Sequence, residues 1–152
     1  MYEILIVGGG PAGLTAAIYA ARAGKHVAVL ERGSTGGQII SAPLVENYPG
    51  IPSVSGTELA RQMTEQACTF GAEIVYTEAV GLEKTPAGFR VSCTDGVREA
   101  KTVILATGAA HRQLGLPGEM TLVGCGISYC AVCDGAFYEG ADVAVVGGGD
   151  TA

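Results

Sequence analysis

Three observations predict an α/β fold. Apolar strands run straight into glycine turns, an alanine-rich helix lies between the first two strands, and short alternating segments over residues 73–100 suit an antiparallel meander. The 24 glycines support this reading because they cluster in turns directly after apolar strands, not along a flexible linker. The expected architecture has three layers, a parallel sheet with helices and the antiparallel β-meander, followed by the start of a second domain.

Tyr2 to Val7 is a near-continuous apolar run, the pattern of a strand buried on both faces of a parallel sheet. Leu14 to Ala23 is rich in alanine and free of glycine and proline, which predicts a helix, and Gly24 stops it. His26 to Leu30 makes the second strand and ends in Glu31. Residues 33–56 hold eight glycines and prolines with several serines and threonines, a loop long enough to suggest function. Leu59, Met63, Ala67 and Phe70 recur at helical spacing, predicting an amphipathic helix over Thr57–Phe70.

Short runs at Ile74–Tyr76, Val80–Leu82 and Phe89–Cys93 are separated by Thr85-Pro86-Ala87-Gly88 and Thr94-Asp95-Gly96, and all three are expected in the meander. The segment TVILATGAA then gives another apolar strand running into a glycine turn at Thr107 and Gly108. LGLPGE, residues 114–119, has the Pro-Gly composition of a linker and places a boundary near residue 117, dividing the chain into 1–116 and 117–152. Beyond it, Val143 to Val146 is expected as a strand leading into a second glycine turn.

Nine basic against fifteen acidic residues give a net charge of −6, and with no Lys/Arg run a nucleic-acid surface is not expected. The apolar stretch Ile4–Val7 is too short for a secretion signal and has no cationic segment before it. No stretch approaches the roughly eighteen apolar residues of a membrane span. A soluble cytoplasmic protein with no membrane association is expected. Five cysteines, an odd number without a secretion signal, argue against a disulfide framework and for redox or metal chemistry.

Gly8-x-Gly10-x-x-Gly13 sits where a strand hands over to a helix. The first glycine permits the tight turn, the second lets the backbone approach a pyrophosphate, and the third lets helix pack on strand, with the helix N-terminus supplying partial positive charge. Strand, helix and an acidic residue eighteen positions after the last glycine, Glu31, agree with dinucleotide binding. Gly147-x-Gly149-x-x-Ala152 repeats the pattern after an apolar strand and suggests a second dinucleotide.

Cys125, Cys130 and Cys133 are spaced C-x4-C-x2-C, as in plant-type iron-sulfur sites, yet no cysteine follows to supply a fourth thiolate, and zinc would need His26 or His111. A Cys130/Cys133 dithiol at a helix start is the better fit, since one thiol there can become acidic and the pair closes with little chain movement. Asp134 reads either as an acid-base group for a thiolate or as a helix N-terminal carboxylate. Cys68, Cys93 and Cys125 are expected as small apolar residues, and neither histidine has a visible catalytic partner.

Taken together, GGGPAG (8–13), GGQ (36–38), ENYPG (46–50), ATG (106–108), LPGE (116–119), CAVCDG (130–135) and GGGDTA (147–152) make the chain similar to the bacterial-type, low-molecular-weight thioredoxin reductases. The resemblance covers nearly all of the chain. It implies a Rossmann-like FAD-binding domain, here its N-terminal part, followed by the truncated start of a domain that holds NADPH and the redox cysteines. By that resemblance Gly8, Gly10 and Gly13, with Pro11 and Ala12 between them, would meet the FAD pyrophosphate, and Glu31 beside Arg32 the adenosine ribose. Gly37, Gln38 and Asn47 would lie near the flavin, with Thr107 and Gly108 closing over it. Gly147, Gly149 and Ala152 would serve the NADPH.

The resemblance also assigns Cys133 to face the flavin C4a position, Cys130 to attack the thioredoxin disulfide, and Asp134 to general acid. Flavin and partner cannot both reach the cysteines in one arrangement, so members of that family rotate the second domain. An intact member is expected to be a homodimer and to use no metal. Its first domain is completed by a later segment with a GD-containing flavin motif, so these 152 residues are expected to be a fragment, while Met1 directly before the first strand leaves no room for an extra N-terminal domain. Two alternatives remain: a ferredoxin-dependent flavin thioredoxin reductase, and, from another class, an iron-sulfur or zinc module on Cys125, Cys130 and Cys133.

Overall fold

The computed structural model describes residues 1–149, and the chain divides into two compact units, Met1–Gly108 and Ala109–Ala152. The break after Gly108 comes where the last strand of the first unit has run out, earlier in the chain than the Pro-Gly stretch near 117.

The first unit is a six-stranded sheet in the order β3-β2-β1-β6-β5-β4, made of β1 (Tyr2–Val7), β2 (Val27–Glu31), β3 (Glu73–Tyr76), β4 (Ala79–Thr85), β5 (Gly88–Cys93) and β6 (Gly96–Leu105). β1 is flanked in parallel by β2 and β6, with Leu5 opposite both Ala28 and Val103. It therefore lies at the centre, which is why its sequence is apolar on both faces. β3 pairs parallel to β2, Val29 opposite Ile74. The expectation that residues 74–76 belong to the meander is corrected here: a four-residue alternating strand reads the same at a parallel edge as in a hairpin, and the side-chain pattern does not carry strand direction. β6 runs antiparallel to β5 over Gly96–Ala100 and parallel to β1 over Ala100–Leu105, so the end of the expected meander region and the later apolar strand are one continuous element.

Helix α1 (Pro11–Arg22) starts three residues before the expected Leu14, with Gly10 as N-cap and Pro11 in the first turn. Proline is preorganised for that position and lacks the N–H that the first turn would leave unpaired. Gly24, at φ +71°, ends it as expected. Helix α2 (Gly56–Thr69) is capped by Ser55, whose Oγ accepts the Glu58 N–H at 3.2 Å. On its exposed face Arg61 bridges Glu58 and Glu65.

Three apolar clusters hold this unit. Ala17, Ile18, Ala20 and Ala21 of α1 pack on Ile6, Val27 and Val29 with Ala67 of α2. On the opposite face of the sheet Leu5, Ala28 and Leu30 meet Val91, Cys93 and Ala100, so the antiparallel strands pack against the second face of the parallel ones. Leu14, Leu59 and Met63 gather Val45, Ile39, Tyr48, Ile51 and Val54 from the long loop. Leu5, Leu14, Leu30 and Leu59 are almost wholly buried and contribute roughly 2 kcal/mol each. The loop 33–56 is thus ordered by its own apolar residues, a 3-10 helix at Gly37–Ser41 and bridges Val45 to Val54 and Tyr48 to Ile51.

The second unit has short helices α3 (Glu119–Leu122) and α4 (Ala131–Asp134), with a 3-10 turn at Gly135–Tyr138. No strand forms at Val143–Val146, where Val143, Val145 and Val146 are exposed. An apolar run becomes a strand only by pairing its backbone with a neighbour, and none lies beside it among the described residues. No helix of the described residues is long and apolar enough to cross a membrane.

Candidate functional site

The first glycine turn is shaped by its neighbours. Gly8 has φ +106°, and a Cβ there would come within 2.2 Å of the Ala106 carbonyl oxygen; at Gly13 it would come within 1.9 Å of the Gly8 carbonyl oxygen. Both must be glycine for the strand, the helix and the end of β6 to meet. Gly10 differs: an added Cβ would meet nothing nearer than the Gly37 Cα at 3.9 Å, so the chain leaves open space there. Gly10 caps α1 with no side-chain hydrogen bond, and no protein acceptor among the described residues takes the Ala12 or Gly13 N–H. Two backbone donors and a helix N-terminus face an open position, the arrangement an anion needs.

Two other segments converge on this turn. The Gly36 N–H donates to the Gly9 carbonyl at 2.7 Å, and the next residue, Gly37, at φ +56°, lies against Gly10. From the other side Thr107 abuts Gly8, and Gly108 follows at φ +69°. Glu31, at the end of β2, accepts the Gly9 N–H at 2.8 Å on one carboxylate oxygen and the Gly33 N–H at 2.8 Å on the other. The carboxylate is therefore held beside the turn. Gly9 and Gly36 were not among the expected site residues; the signal for Gly9 was its position next to Gly8, within reach of an acidic strand end.

The other expected residues of the first unit lie at its surface. Arg32 is exposed and pairs with Glu78 at 3.7 Å, Gln38 is exposed on the 3-10 helix, and Asn47 is exposed between Val45 and Tyr48. Cβ atoms added at Gly147 or Gly149 would meet nothing within 4 Å, so these residues build no cradle of the kind seen at Gly8–Gly13. Ala152 lies outside the described residues.

In the second unit Cys130 and Cys133 form a disulfide with Cα atoms 5.2 Å apart. Cys130 is the N-cap of α4, and its Sγ accepts the Cys133 N–H at 3.2 Å. Asp134 closes the helix, and its carboxylate accepts the Ser128 hydroxyl at 2.6 Å. Asp134 also lies in the first turn of the four-residue α4, so its place agrees with the helix N-terminal reading as well as with the acid-base one. Ser128 Oγ also accepts the Cys130 N–H at 3.0 Å.

The residue between them, Tyr129, donates its hydroxyl to Glu119 and stacks on His111, ring centroids 4.9 Å apart. Glu119 is 4% exposed, and its carboxylate takes the N–H groups of Leu114, Gly115 and Leu116 at 2.7 to 3.0 Å. The Tyr129 hydroxyl first, then these amides, hold its carboxyl down to about 2. The expected linker at 114–119 is therefore folded around one carboxylate. Ser128, Tyr129 and Glu119 were missed from the sequence, because each acts through a hydrogen bond that composition does not reveal.

Cys93 is buried as expected, whereas Cys68 and Cys125 are exposed. Cys68 falls on the outer face of α2, where an apolar role has nothing to pack on. With Cys130 and Cys133 joined to each other, neither is a thiolate, and the described residues contain no group of three His, Cys, Asp or Glu able to hold a metal ion. His26 is structural: its Nε2 lies 3.1 Å from Glu73 and its ring packs on Tyr2.

The family model for pyridine nucleotide-disulphide oxidoreductases matches residues 2–152. The chain belongs to this family. Among the pyridine nucleotide-disulphide oxidoreductases it is similar to, the thioredoxin reductase of Treponema pallidum (strain Nichols) is 47% identical over 99% of this chain and 50% of its own length. The crystal structure of thioredoxin reductase from Streptococcus pyogenes MGAS5005 is 49% identical, with a TM-score of 0.85 over 91% of this chain and 45% of that one. The ferredoxin-flavin thioredoxin reductase from Clostridium acetobutylicum is 35% identical, with a TM-score of 0.68 over 90% of this chain and 47% of that one. The chain spans about half the length of the curated relatives it matches. For a pyridine nucleotide-disulphide oxidoreductase, the open position at Gly10 with its two free N–H groups fits the pyrophosphate of FAD. The turn at Gly147–Gly149 does not build such a site among the described residues.

Proposed function

We propose that the chain is the N-terminal portion of an FAD-dependent thioredoxin-disulfide reductase, an enzyme fed by NADPH that passes electrons through Cys130 and Cys133 to the disulfide of thioredoxin. The observation that carries this reading is the Cys130–Cys133 disulfide with an acid-base group, Asp134, one residue on, in a chain whose first unit carries an anion cradle for a dinucleotide. In this reading residues 1–116 serve FAD and 117–152 begin the NADPH and redox-cysteine domain. The intact enzyme is a cytoplasmic homodimer.

When bound, the flavin supplies the electron pair that opens the disulfide. The chain's own residues do the rest. The Ala12 and Gly13 N–H groups bind the pyrophosphate beside Gly8, Gly10 and Pro11; Glu31, with Arg32 next to it, binds the adenosine ribose; Gly37, Gln38 and Asn47 border the flavin with Thr107 and Gly108. Gly147 and Gly149 build no cradle among the described residues, so an NADPH role for them, as for Ala152, would need neighbours that the described residues do not supply. Once the disulfide is open, the Cys133 N–H points at Cys130 Sγ and favours negative charge there, which suits Cys130 as the thiolate that attacks the partner's disulfide. Asp134 supplies or takes the proton of the thiol that is released.

The test is the visible spectrum after incubation with excess FAD and desalting, followed by NADPH or a dithiol. Flavin bands that bleach with NADPH support the reading. A chain that binds no flavin, and whose Cys130–Cys133 pair also resists dithiol, overturns it. Similarity to the ferredoxin-flavin enzyme of Clostridium acetobutylicum supports ferredoxin as the alternative donor; flavin that bleaches with reduced ferredoxin and not with NADPH would select it.

A further inference from the structure

We infer that Ser128 is the positioning residue of the redox pair: its hydroxyl holds Asp134 against the Cys130–Cys133 loop in both states of the carboxyl group. The inference rests on the dithiol reading above and extends it to a residue outside the cysteine motif. Three hydrogen bonds meet at Ser128 Oγ. It accepts the Cys130 N–H at 3.0 Å, lies 2.6 Å from Asp134 Oδ2 and lies 3.2 Å from the Cys130 carbonyl oxygen.

A hydroxyl has one proton and two lone pairs. With Asp134 ionised, Ser128 donates to the carboxylate and accepts from Cys130. With Asp134 protonated, the carboxyl donates to Ser128, the serine proton turns to the Cys130 carbonyl, and the Cys130 N–H is still accepted. Every donor has an acceptor in either state, so Asp134 can gain or lose a proton without leaving its place. Alanine at 128 would remove all three contacts, while threonine would keep the hydroxyl.

The step served is the opening of the disulfide. A small dithiol supplies two electrons and gives both thiol protons to solvent: its first sulfur bonds one cysteine as the Cys130–Cys133 bond breaks, and the other cysteine, expelled as thiolate, takes its proton from Asp134. The dithiol's second sulfur then closes its own cyclic disulfide and releases the bonded cysteine, which takes its proton from solvent. Asp134 is recharged by a proton that the dithiol has given to solvent. The other titratable groups tied to this loop are Tyr129 and, through its hydroxyl and its ring, Glu119 and His111.

The experiment measures the rate at which a dithiol opens the disulfide in the full chain at neutral pH, using wild type, Ser128→Ala, Ser128→Thr and Asp134→Asn. Asp134→Asn is expected to slow opening by removing the proton donor. Ser128→Ala is expected to slow opening by about tenfold, a part of what general acid catalysis supplies, to add nothing further in the Asp134→Asn background, and to be rescued by Ser128→Thr. A Ser128→Ala rate equal to wild type, one that Ser128→Thr does not restore, or one whose loss adds in full to that of Asp134→Asn overturns the positioning role while leaving the dithiol reading in place. A wild-type disulfide that a dithiol does not open sinks the dithiol reading itself.

Discussion

The two units are held together by opposite means. Residues 1–108 contain every buried apolar side chain among the described residues, all but Ala60 gathered in three clusters around the sheet. In residues 109–149 the buried residue is a carboxylate, Glu119, while Val132 and Phe137 beside the disulfide are 94% and 74% exposed. The unit that would bind a cofactor is stabilised by burial, which is insensitive to pH and redox state. The unit that carries the disulfide is ordered by hydrogen bonds to Glu119 and Ser128 and by one covalent bond, all of which respond to protons or electrons. A redox loop ordered in this way is free to rearrange with its chemistry, whereas the cradle is not.

The largest effect that would sharpen this contrast is expected at Gly13. Gly13→Val places side-chain atoms where the Gly8 carbonyl already stands and should destabilise the first unit by about 3 kcal/mol. It should also abolish flavin retention. Denaturant unfolding followed by far-UV circular dichroism, with a flavin spectrum, measures both; a well-folded, flavin-binding variant would mean that the turn tolerates movement the packing forbids.

Next is the carboxylate of the second unit. Glu119 titrates near about 2 in the folded chain and near about 4.3 in an unfolded one. A carboxyl whose value falls on folding adds stability above the unfolded value and loses it as pH drops towards the folded one. Amide protection at Leu114, Gly115 and Leu116 should therefore be full at neutral pH and disappear between about 4.3 and about 2. Glu119→Gln has one acceptor oxygen for three amides and a hydroxyl, and should lower that protection by about tenfold or more at every pH. Hydrogen exchange read by mass spectrometry follows it, with the first unit's core amides unchanged. Equal loss in both units would break the comparison.

A smaller change is expected at the cap of α2. Ser55→Ala removes the acceptor of the Glu58 N–H and should cost about 1 kcal/mol in the first unit, read from the same unfolding curve. The smallest is Val132→Ala. At 94% exposure the side chain packs on nothing, so stability should move by less than about 0.5 kcal/mol; a clear loss would reveal apolar packing in the second unit.

Much of the fold was legible where local chemistry and burial agree. β1 falls on the residues its apolar run marked, Tyr2–Val7, since a strand covered on both faces must be apolar throughout. α2 lies one residue from its expected limits, because an amphipathic period and the Ser55–Glu58 cap define it from within. β3 was assigned to the wrong part of the sheet, and Val143–Val146 was expected as a strand that does not form, because pairing depends on a neighbour distant in sequence. In the candidate site the glycine turn and the cysteine pair were visible as motifs, whereas Glu119 looked like part of a linker and Ser128 like an ordinary polar residue.

Residue order along the chain sets the local pieces: which glycines turn the chain after β1, where α1 and α2 stop, and that two cysteines lie close enough along the chain to join. These are matters of backbone sterics and short-range spacing, settled within a few residues. Folding in three dimensions was needed to close the turns at 36–37 and 106–108 on Gly8–Gly13, to clamp Glu31 between Gly9 and Gly33, and to set Ser128 against Asp134. Those contacts depend on side-chain direction and on segments far apart in the chain, and they form only when apolar burial has brought the strands together or a buried carboxylate has gathered its donors.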